Sequence, residues 1–126
     1  MRIYVLQLRN IMKETRLGEF EEVILLLVGI LGEEAYSLRI AQEFKEQTGR
    51  SASVGSVHST LNRLSDKGFL NSHMGSATAE RGGRRKRIYT ITALGQRTVE
   101  YARDLRVSLW NQYPGLATGD LKISLI

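Results

Sequence analysis

The stretch from Leu17 to Leu31 constrains the fold more than any other part of the sequence, because its apolar residues recur with a helical period. They occupy the i, i+3, i+4 and i+7 positions that place side chains on one face of an α-helix: Phe20, Val23, Ile24, Leu27, Val28 and Leu31. Leu25, Leu26 and Ile30 make a second side of the helix apolar. A helix that is apolar nearly all round is a buried one, so in a small domain this pattern indicates contact with something beyond its own core.

The composition is that of one small folded domain and excludes several kinds of site. The chain has 126 residues, of which 42% are hydrophobic and 25% charged. It has no cysteine, which excludes disulfides, thiolate zinc sites, iron–sulfur clusters and cysteine nucleophiles. The two histidines, His58 and His73, are too few for most metal chemistry, so we expect neither a metal nor a cofactor.

The longest apolar run, residues 23–31, is much shorter than the about 20 residues that a membrane-spanning helix needs. The first ten residues lack both the apolar stretch and the cleavage site of a secretory signal. We therefore expect a cytoplasmic protein without membrane contact.

The net charge of +5 is concentrated in one segment of the chain. Residues 1–79 hold nine basic and nine acidic side chains, and residues 88–126 hold four basic and three acidic ones. Residues 80–87 (ERGGRRKR) hold a single acidic residue, Glu80, and five cations: Arg81, Arg84, Arg85, Lys86 and Arg87. Such a run is typical of a solvated surface, and with a Gly-Gly hinge beside it, equally of contact with a polyanion such as nucleic acid.

Two further helices are predicted, joined by a polar turn of about four residues that is typical of a helix-turn-helix pair. The second helix has Ser37 as its N-cap and ends at Gly49. The third has Ser53 as its N-cap and runs to about Lys67, before Gly68. The apolar residues of the third helix form one stripe: Val54, Val57, Leu61 and Leu64.

The opposite face of the third helix is small, polar and weakly charged. It carries Gly55, Ser56, Ser59, Asn62 and Arg63, flanked by Thr60 and Lys67, with His58 at its border. An ordinary surface helix would be rich in Glu and Lys, whereas a helix in the DNA major groove needs short donors and acceptors that let its backbone approach the duplex. The composition of this face therefore indicates DNA recognition, and we include Ser53, at the start of the helix, among the DNA-binding residues.

Two strands are predicted after the third helix, at residues 69–74 and 85–91, because both segments are rich in aromatic and β-branched residues. The basic run begins in the long connection between them and continues into the second strand. A basic β-hairpin that follows a helix-turn-helix is a wing, which lies along the phosphate backbone or in the minor groove.

A fourth helix is predicted from its cap at Thr92 to about Trp110. Its first apolar stripe consists of Leu94, Thr98, Tyr101, Ala102, Leu105 and Leu109. On the opposite side lie Val99, Val107 and Trp110, with Arg103 among them. Two apolar stripes cannot both face one small core, so the pattern favours self-association through this helix. The alternative is that Trp110 folds back onto its own domain.

The two ends of the chain are less informative. Residues 1–16 fit a short strand, a short helix or an extension upstream of a start at Met12, and these alternatives stay open. Residues 111–126 form a tail that contains the only proline, Pro114. The predicted organisation is an extension at 1–16, a winged helix-turn-helix domain at 17–91, a helix at 92–110 and a tail at 111–126.

The order of these elements resembles the PadR family of bacterial transcriptional regulators over about residues 17–110. The resemblance rests on LGEFEEVILLLVGILG in the first helix, AYSLRI in the second, VGSVHSTLNRLSDKGFL in the third, and ERGGRRKRIYTITALG from the wing into the last helix. One departure is His58, where the family commonly has a tyrosine that touches the DNA backbone. A histidine also donates to phosphate, and a half-buried structural histidine is the alternative.

The resemblance implies an α+β fold, mostly α with a small β-hairpin: a winged helix-turn-helix with a long C-terminal helix. It also implies a homodimer that binds double-stranded DNA at a palindromic operator and represses transcription. Family members of this short form dimerise through the first and last helices, here through Leu25, Leu26, Val99, Arg103, Val107 and Trp110. Some relatives bind a hydrophobic effector between subunits, for which Trp110 is our first candidate.

Two other functions are alternatives to DNA binding. A winged helix also serves as a protein-interaction module, and such a protein would bind DNA no better than a neutral one of equal size. An enzyme is not expected, because the sequence shows no nucleophile–base pattern, no Gly-rich phosphate loop and no carboxylate pair in an evident cleft.

Overall fold

The computed structural model describes residues 17–76 and 85–116 of the chain. Within these ranges lie four α-helices and one two-stranded sheet: α1 Glu19–Leu31, α2 Ser37–Thr48, α3 Val54–Asp66, β1 Leu70–Met74, β2 Arg87–Ile91 and α4 Ala93–Gln112. A 3-10 turn, Gly32–Glu34, joins α1 to α2. This order confirms the predicted α+β winged helix with a long C-terminal helix.

Local hydrogen bonds fix the ends of the helices. Two of the three N-caps predicted from the sequence are present. The Ser53 side chain caps α3 by accepting the Ser56 N–H at 3.0 Å, and Thr92 caps α4 by accepting the Gly95 N–H at 3.0 Å, so both predicted caps are confirmed. The prediction of Ser37 as N-cap of α2 is wrong by one residue. Tyr36 keeps the extended backbone and its carbonyl accepts the Ile40 N–H at 2.9 Å, which closes the first turn there.

The core lies where α1, α2 and α3 meet the inner face of the hairpin. Its fully covered side chains include Ile24, Leu25, Ile40, Val57, Leu61, Leu64 and Phe69. Phe20 and Phe44 add an edge-to-face aromatic contact, with ring centroids 5.1 Å apart, between α1 and α2. Val54, predicted in the apolar stripe of α3, is instead 43% exposed, because the first turn of the helix extends past the core.

The hairpin is fixed by its register and by contacts at its base. Strands β1 and β2 pair antiparallel from Leu70 opposite Ile91 to Met74 opposite Arg87. The Tyr89 N–H donates to the Ala35 carbonyl at 2.9 Å, which ties β2 to the α1–α2 connection. The hairpin therefore projects from the same rigid unit that holds the helix-turn-helix pair.

The start of α4 is held tightly against the start of the hairpin. The Thr92 hydroxyl donates to the Gly68 carbonyl at 2.7 Å, and the Thr92 N–H donates to the Phe69 carbonyl at 3.0 Å. A Cβ on Gly95 would lie only 2.3 Å from the Phe69 oxygen, so this close approach requires glycine. The first half of α4 is consequently part of the domain.

Candidate nucleic-acid interface

Helix α3 presents its polar face outward, as the sequence predicts. Its inner side is held by Val57, Leu61 and Leu64, none of which has exposed surface. The exposed residues of the predicted recognition face are Ser53, Gly55, Ser56, His58, Ser59, Asn62 and Arg63. Small hydroxyl and amide side chains on an exposed helix allow a close backbone approach to base edges.

Thr60 does not belong to this exposed face, and its assignment as a DNA-reading residue is wrong. Only 1% of it is exposed, and its hydroxyl accepts a hydrogen bond from Arg63 Nη2 at 3.0 Å. The error arises because Thr60 stands at the border of the apolar stripe, where helical periodicity does not decide the side. In the fold it orients Arg63.

A buried carboxylate from α1, that of Glu21, reaches the C-terminal end of α3, where Arg63 and Lys67 lie. Glu21 Oε2 lies 2.9 Å from Lys67 Nζ and 3.9 Å from Arg63 Nε, while its Oε1 accepts the Gly18 N–H at 2.9 Å. Burial would raise the pKa of Glu21, but the hydrogen bonds from Gly18 and Lys67 and the nearby charge of Arg63 together lower that pKa. The carboxylate is thus ionised and shared between the start of α1 and the last turn of the recognition helix.

The predicted wing cations fall into two groups. Arg81 and Arg84 lie outside the described residues. Arg85 Nε donates to the Gly75 carbonyl at 3.0 Å across the neck of the hairpin, and Arg87 Nη1 donates to Ser72 Oγ at 3.0 Å across the strands. Arg85 and Arg87 are both exposed, so the neck of the hairpin carries two positive charges on its surface.

Lys86 is placed differently from its neighbours. Its Nζ lies 3.9 Å from the centre of the Tyr36 ring, at the start of α2. This cation–π contact docks the hairpin on the helical part of the domain. Lys86 is predicted as a DNA-binding cation of the wing, and the structure shows that it also packs on Tyr36.

The two histidines are both on the surface. His58 is exposed on α3, so the alternative of a half-buried structural histidine does not hold. His73 Nε2 lies 3.7 Å from Glu33 Oε2 on the 3-10 turn, and half of its side chain is exposed. His58 is thus placed beside the polar face of α3, while His73 stands apart from it on β1.

Beyond Arg103, helix α4 leaves the domain with both of its apolar stripes uncovered. Thr98 and Ala102 of the first stripe are buried, and so is Val99 of the second stripe. Leu105 and Leu109, later in the first stripe, are exposed because the helix extends past the core. The exposed fractions of the distal apolar residues are 49% for Leu105 and Val107 and 57% for Leu109 and Trp110.

An apolar groove of about 670 Å³ runs between α1 and the middle of α4. Leu26 and Ile30 line one side and are 46% and 65% exposed, while Val107 lines the other. Arg106 forms an ion pair with Glu22 at the end of the groove, and this pairing raises the pKa of Arg106. Val107 belongs to the second apolar stripe of α4, so the groove reaches the start of that uncovered stripe.

The residues assigned to the dimer interface differ in their exposure to solvent. Leu26, Arg103, Val107 and Trp110 are exposed and available to a partner. Leu25 has no exposed surface and Val99 only 8% in the single chain, although both line the groove. Both are covered by their own domain, where they join α1 and α4 to the core.

Two general features of the described part of the chain bear on function. No group of three or more His, Cys, Asp or Glu residues in it is arranged to hold a metal ion. No helix within residues 17–76 and 85–116 is long and apolar enough to cross a membrane.

Solved structures with the same fold include several regulators. The chain is 25% identical to a PadR-like transcription factor from Bacteroides fragilis, with a TM-score of 0.61, over 79% of this chain and 91% of that one. It is 26% identical to a PadR family transcription regulator from Clostridium difficile, with a TM-score of 0.54, over 71% and 95%. A complex structure of hsRosR-S4 is 25% identical, with a TM-score of 0.59, over 82% of each chain.

The family model of the transcriptional regulator PadR-like family matches residues 25–101, which is more than half of the chain. That range runs from the middle of α1 through the recognition helix and the hairpin into α4. No curated protein matches the sequence. On the strength of the family match and the winged-helix fold, the chain belongs to the PadR-like family of transcriptional regulators, which are not enzymes.

Proposed function

We propose that the protein is a sequence-specific DNA-binding repressor that binds a palindromic operator as a homodimer. The observation that carries the proposal is the exposed polar face of α3, which stands beside a hairpin whose neck carries Arg85 and Arg87. In this arrangement α3 enters the major groove and the hairpin lies along the phosphate backbone. A cytoplasmic location follows, because that is where operator DNA lies.

The side chains divide into those that read bases and those that hold the backbone. Ser56, Ser59, Asn62 and Arg63 are the readers, because their side chains project from the exposed face of α3. The wing cations supply affinity that does not depend on sequence. Each phosphate contact contributes about 0.9 to the negative slope of log K against log salt.

The wing assignment is tested by replacing single cations and measuring that salt slope with a fluorescent duplex. Arg87→Ala should reduce the slope by about 0.9 and weaken all sequences alike. Arg97→Ala is the matched control, because it removes an exposed arginine from α4, away from the hairpin. The triple variant of Arg84, Arg85 and Arg87 to alanine should flatten the slope further, and an unchanged slope would refute the assignment.

The homodimer is supported by the uncovered half of α4 and the groove beside it. Leu105 and Leu109 on one side of α4, and Val107 and Trp110 on the opposite side, expose apolar surface that contact with a second copy would cover in part. A two-fold dimer places its recognition helices at half-sites about 34–36 Å apart, one turn of B-DNA. This geometry is the physical reason for a palindromic operator.

Release by a hydrophobic effector is the remaining part of the proposal. The groove between α1 and α4 has a volume of about 670 Å³ and apolar walls, within the range of small-molecule sites. A ligand that occupied it would change how α4 sits on α1. The test is a gel shift on the DNA upstream of the protein's own gene, with and without hydrophobic cations and phenolic acids.

A further inference from the structure

Among the described residues, one buried carboxylate, that of Glu21, touches both the start of α1 and the recognition helix. Glu21 is 9% exposed although it carries a charge, and it belongs to neither the polar face of α3 nor the groove. Buried carboxylates are rare unless they are paired, so each of its contacts has an energetic reason.

The contacts of Glu21 fall on two cations of the DNA-facing side. Its Oε2 is 2.9 Å from Lys67 Nζ, at the C-terminal end of α3, and 3.9 Å from Arg63 Nε. Arg63 is held a second time by Thr60, whose hydroxyl accepts from Nη2 at 3.0 Å. The guanidinium therefore has one hydrogen bond, to Thr60, and one longer electrostatic contact, to Glu21, while 56% of the Arg63 side chain stays exposed.

The charge of Glu21 also sets the strength of the positive face. Glu21 offsets one of the two cations that α3 presents in its last turn, so the pair together contributes about one positive charge toward DNA rather than two. Backbone contacts raise affinity for every sequence, whereas only oriented base contacts discriminate. A carboxylate at this position thus lowers indiscriminate binding and orients a reader at the same time.

We propose that Glu21 is a positioning residue for DNA recognition, which orients Arg63 and offsets Lys67 so that the recognition helix discriminates its operator from other DNA. This inference rests on the proposed DNA-binding function. It assigns a specificity-determining role to a residue of α1 that does not itself face the duplex.

The test is the Glu21→Gln variant, which keeps the size of the side chain and an acceptor for the Gly18 N–H but removes the charge. Its affinity for the operator-containing upstream DNA and for a shuffled duplex of equal length is measured by fluorescence anisotropy across a salt series. We expect affinity for the shuffled duplex to rise, the salt slope to steepen by up to about 0.9, and the ratio of operator to shuffled affinity to fall by about fivefold or more, the lower end of what one oriented base contact provides.

Glu46→Gln is the matched control, because it makes the same change of net charge at an exposed position of α2. The double variant Glu21→Gln with Lys67→Gln removes the cation that Glu21 offsets, and it should return the shuffled-DNA affinity and the salt slope to near wild type. A specificity ratio and slope equal to those of Glu46→Gln would overturn the proposal.

A parallel loss of both affinities together with a lower melting temperature would also overturn it, since that is the signature of a purely structural residue. If the wild-type protein itself binds neither duplex at low salt, the proposed DNA-binding function fails instead. The two failures are therefore distinguishable.

Discussion

The close approach of Gly95 to the Phe69 carbonyl predicts that the addition of a single methyl group at Gly95 causes a large loss of stability. In Gly95→Ala the new Cβ would lie 2.3 Å from the Phe69 oxygen and 3.1 Å from its carbonyl carbon. It would also lie 2.9 Å from the Ile91 side chain. The backbone oxygen must move by about 1 Å to restore ordinary contact distances.

That movement breaks the junction between the domain and α4. Phe69 O accepts the Thr92 N–H at 3.0 Å, and the neighbouring Gly68 O accepts the Thr92 hydroxyl at 2.7 Å. Weakening these two hydrogen bonds costs about 1 kcal/mol each, and overpacking costs about 1–3 kcal/mol. After relaxation we expect a loss of about 2–4 kcal/mol, which lowers the melting temperature by about 10–20 °C.

The assay is urea and thermal unfolding followed by circular dichroism at 222 nm, at one fixed protein concentration because self-association raises apparent stability. Gly55→Ala is the control, since nothing lies within 4 Å of a Cβ built there. Alanine favours the helix over glycine, so this control should match wild type or exceed it by up to about 1 kcal/mol. A Gly95→Ala variant within about 1 kcal/mol of wild type would refute the packing argument.

Three further predictions concern the recognition helix, the exposed end of α4 and the buried carboxylate of Glu21. Arg63→Ala should lower operator affinity more than shuffled-DNA affinity, so that discrimination between the two falls by a factor of about 5 or more, as measured by anisotropy. Trp110→Asp should weaken self-association by about 30-fold or more in analytical ultracentrifugation, whereas Asn111→Asp on the same turn should not, because truncated interface tryptophans cost on the order of 2 kcal/mol or more. Because the pKa of Glu21 is lowered in the fold, its stabilisation is present above its unfolded pKa of about 4.3 and is lost as pH falls through the lower folded value. The difference in unfolding free energy between wild type and Glu21→Gln should therefore be constant near pH 6–7 and shrink below about pH 4, and a pH-independent difference would contradict it.

Much of the fold follows from local signals in the sequence. The helical period of α1, the caps at Ser53 and Thr92 and the β-branched content of residues 85–91 each depend on neighbouring residues only, and each predicted element is present. The α3 polar face was also predictable, because a helix with one apolar stripe leaves the other side to solvent.

Local signals do not decide the exposure of residues whose environment is set by distant parts of the chain. Periodicity places Leu105 on the same stripe as Ala102, but only the length of the core decides that Ala102 is covered and Leu105 is not. The same holds for Leu25, which periodicity puts on a second surface and the packing of the domain buries.

The ion pairs of α1 could not be predicted, because each joins residues far apart in sequence. Glu21 meets Lys67 across 46 positions and Glu22 meets Arg106 across 84. Glu21 does stand three residues after Gly18, a spacing that suits a helix N-terminus, but that spacing says nothing of α3. Lys86 in turn belongs to a charge run that gives no sign of its contact with Tyr36.

The central claim is specific DNA binding by a dimer, and one titration tests it most directly. The wild-type protein is titrated against a fluorescent duplex from upstream of its own gene and a shuffled duplex, with the stoichiometry read at saturation. A dimeric, operator-specific protein binds as two chains per operator and at least about 10³-fold more tightly to the operator than to the shuffled duplex. Equal affinity for both duplexes, or no binding at low salt, would contradict the central claim.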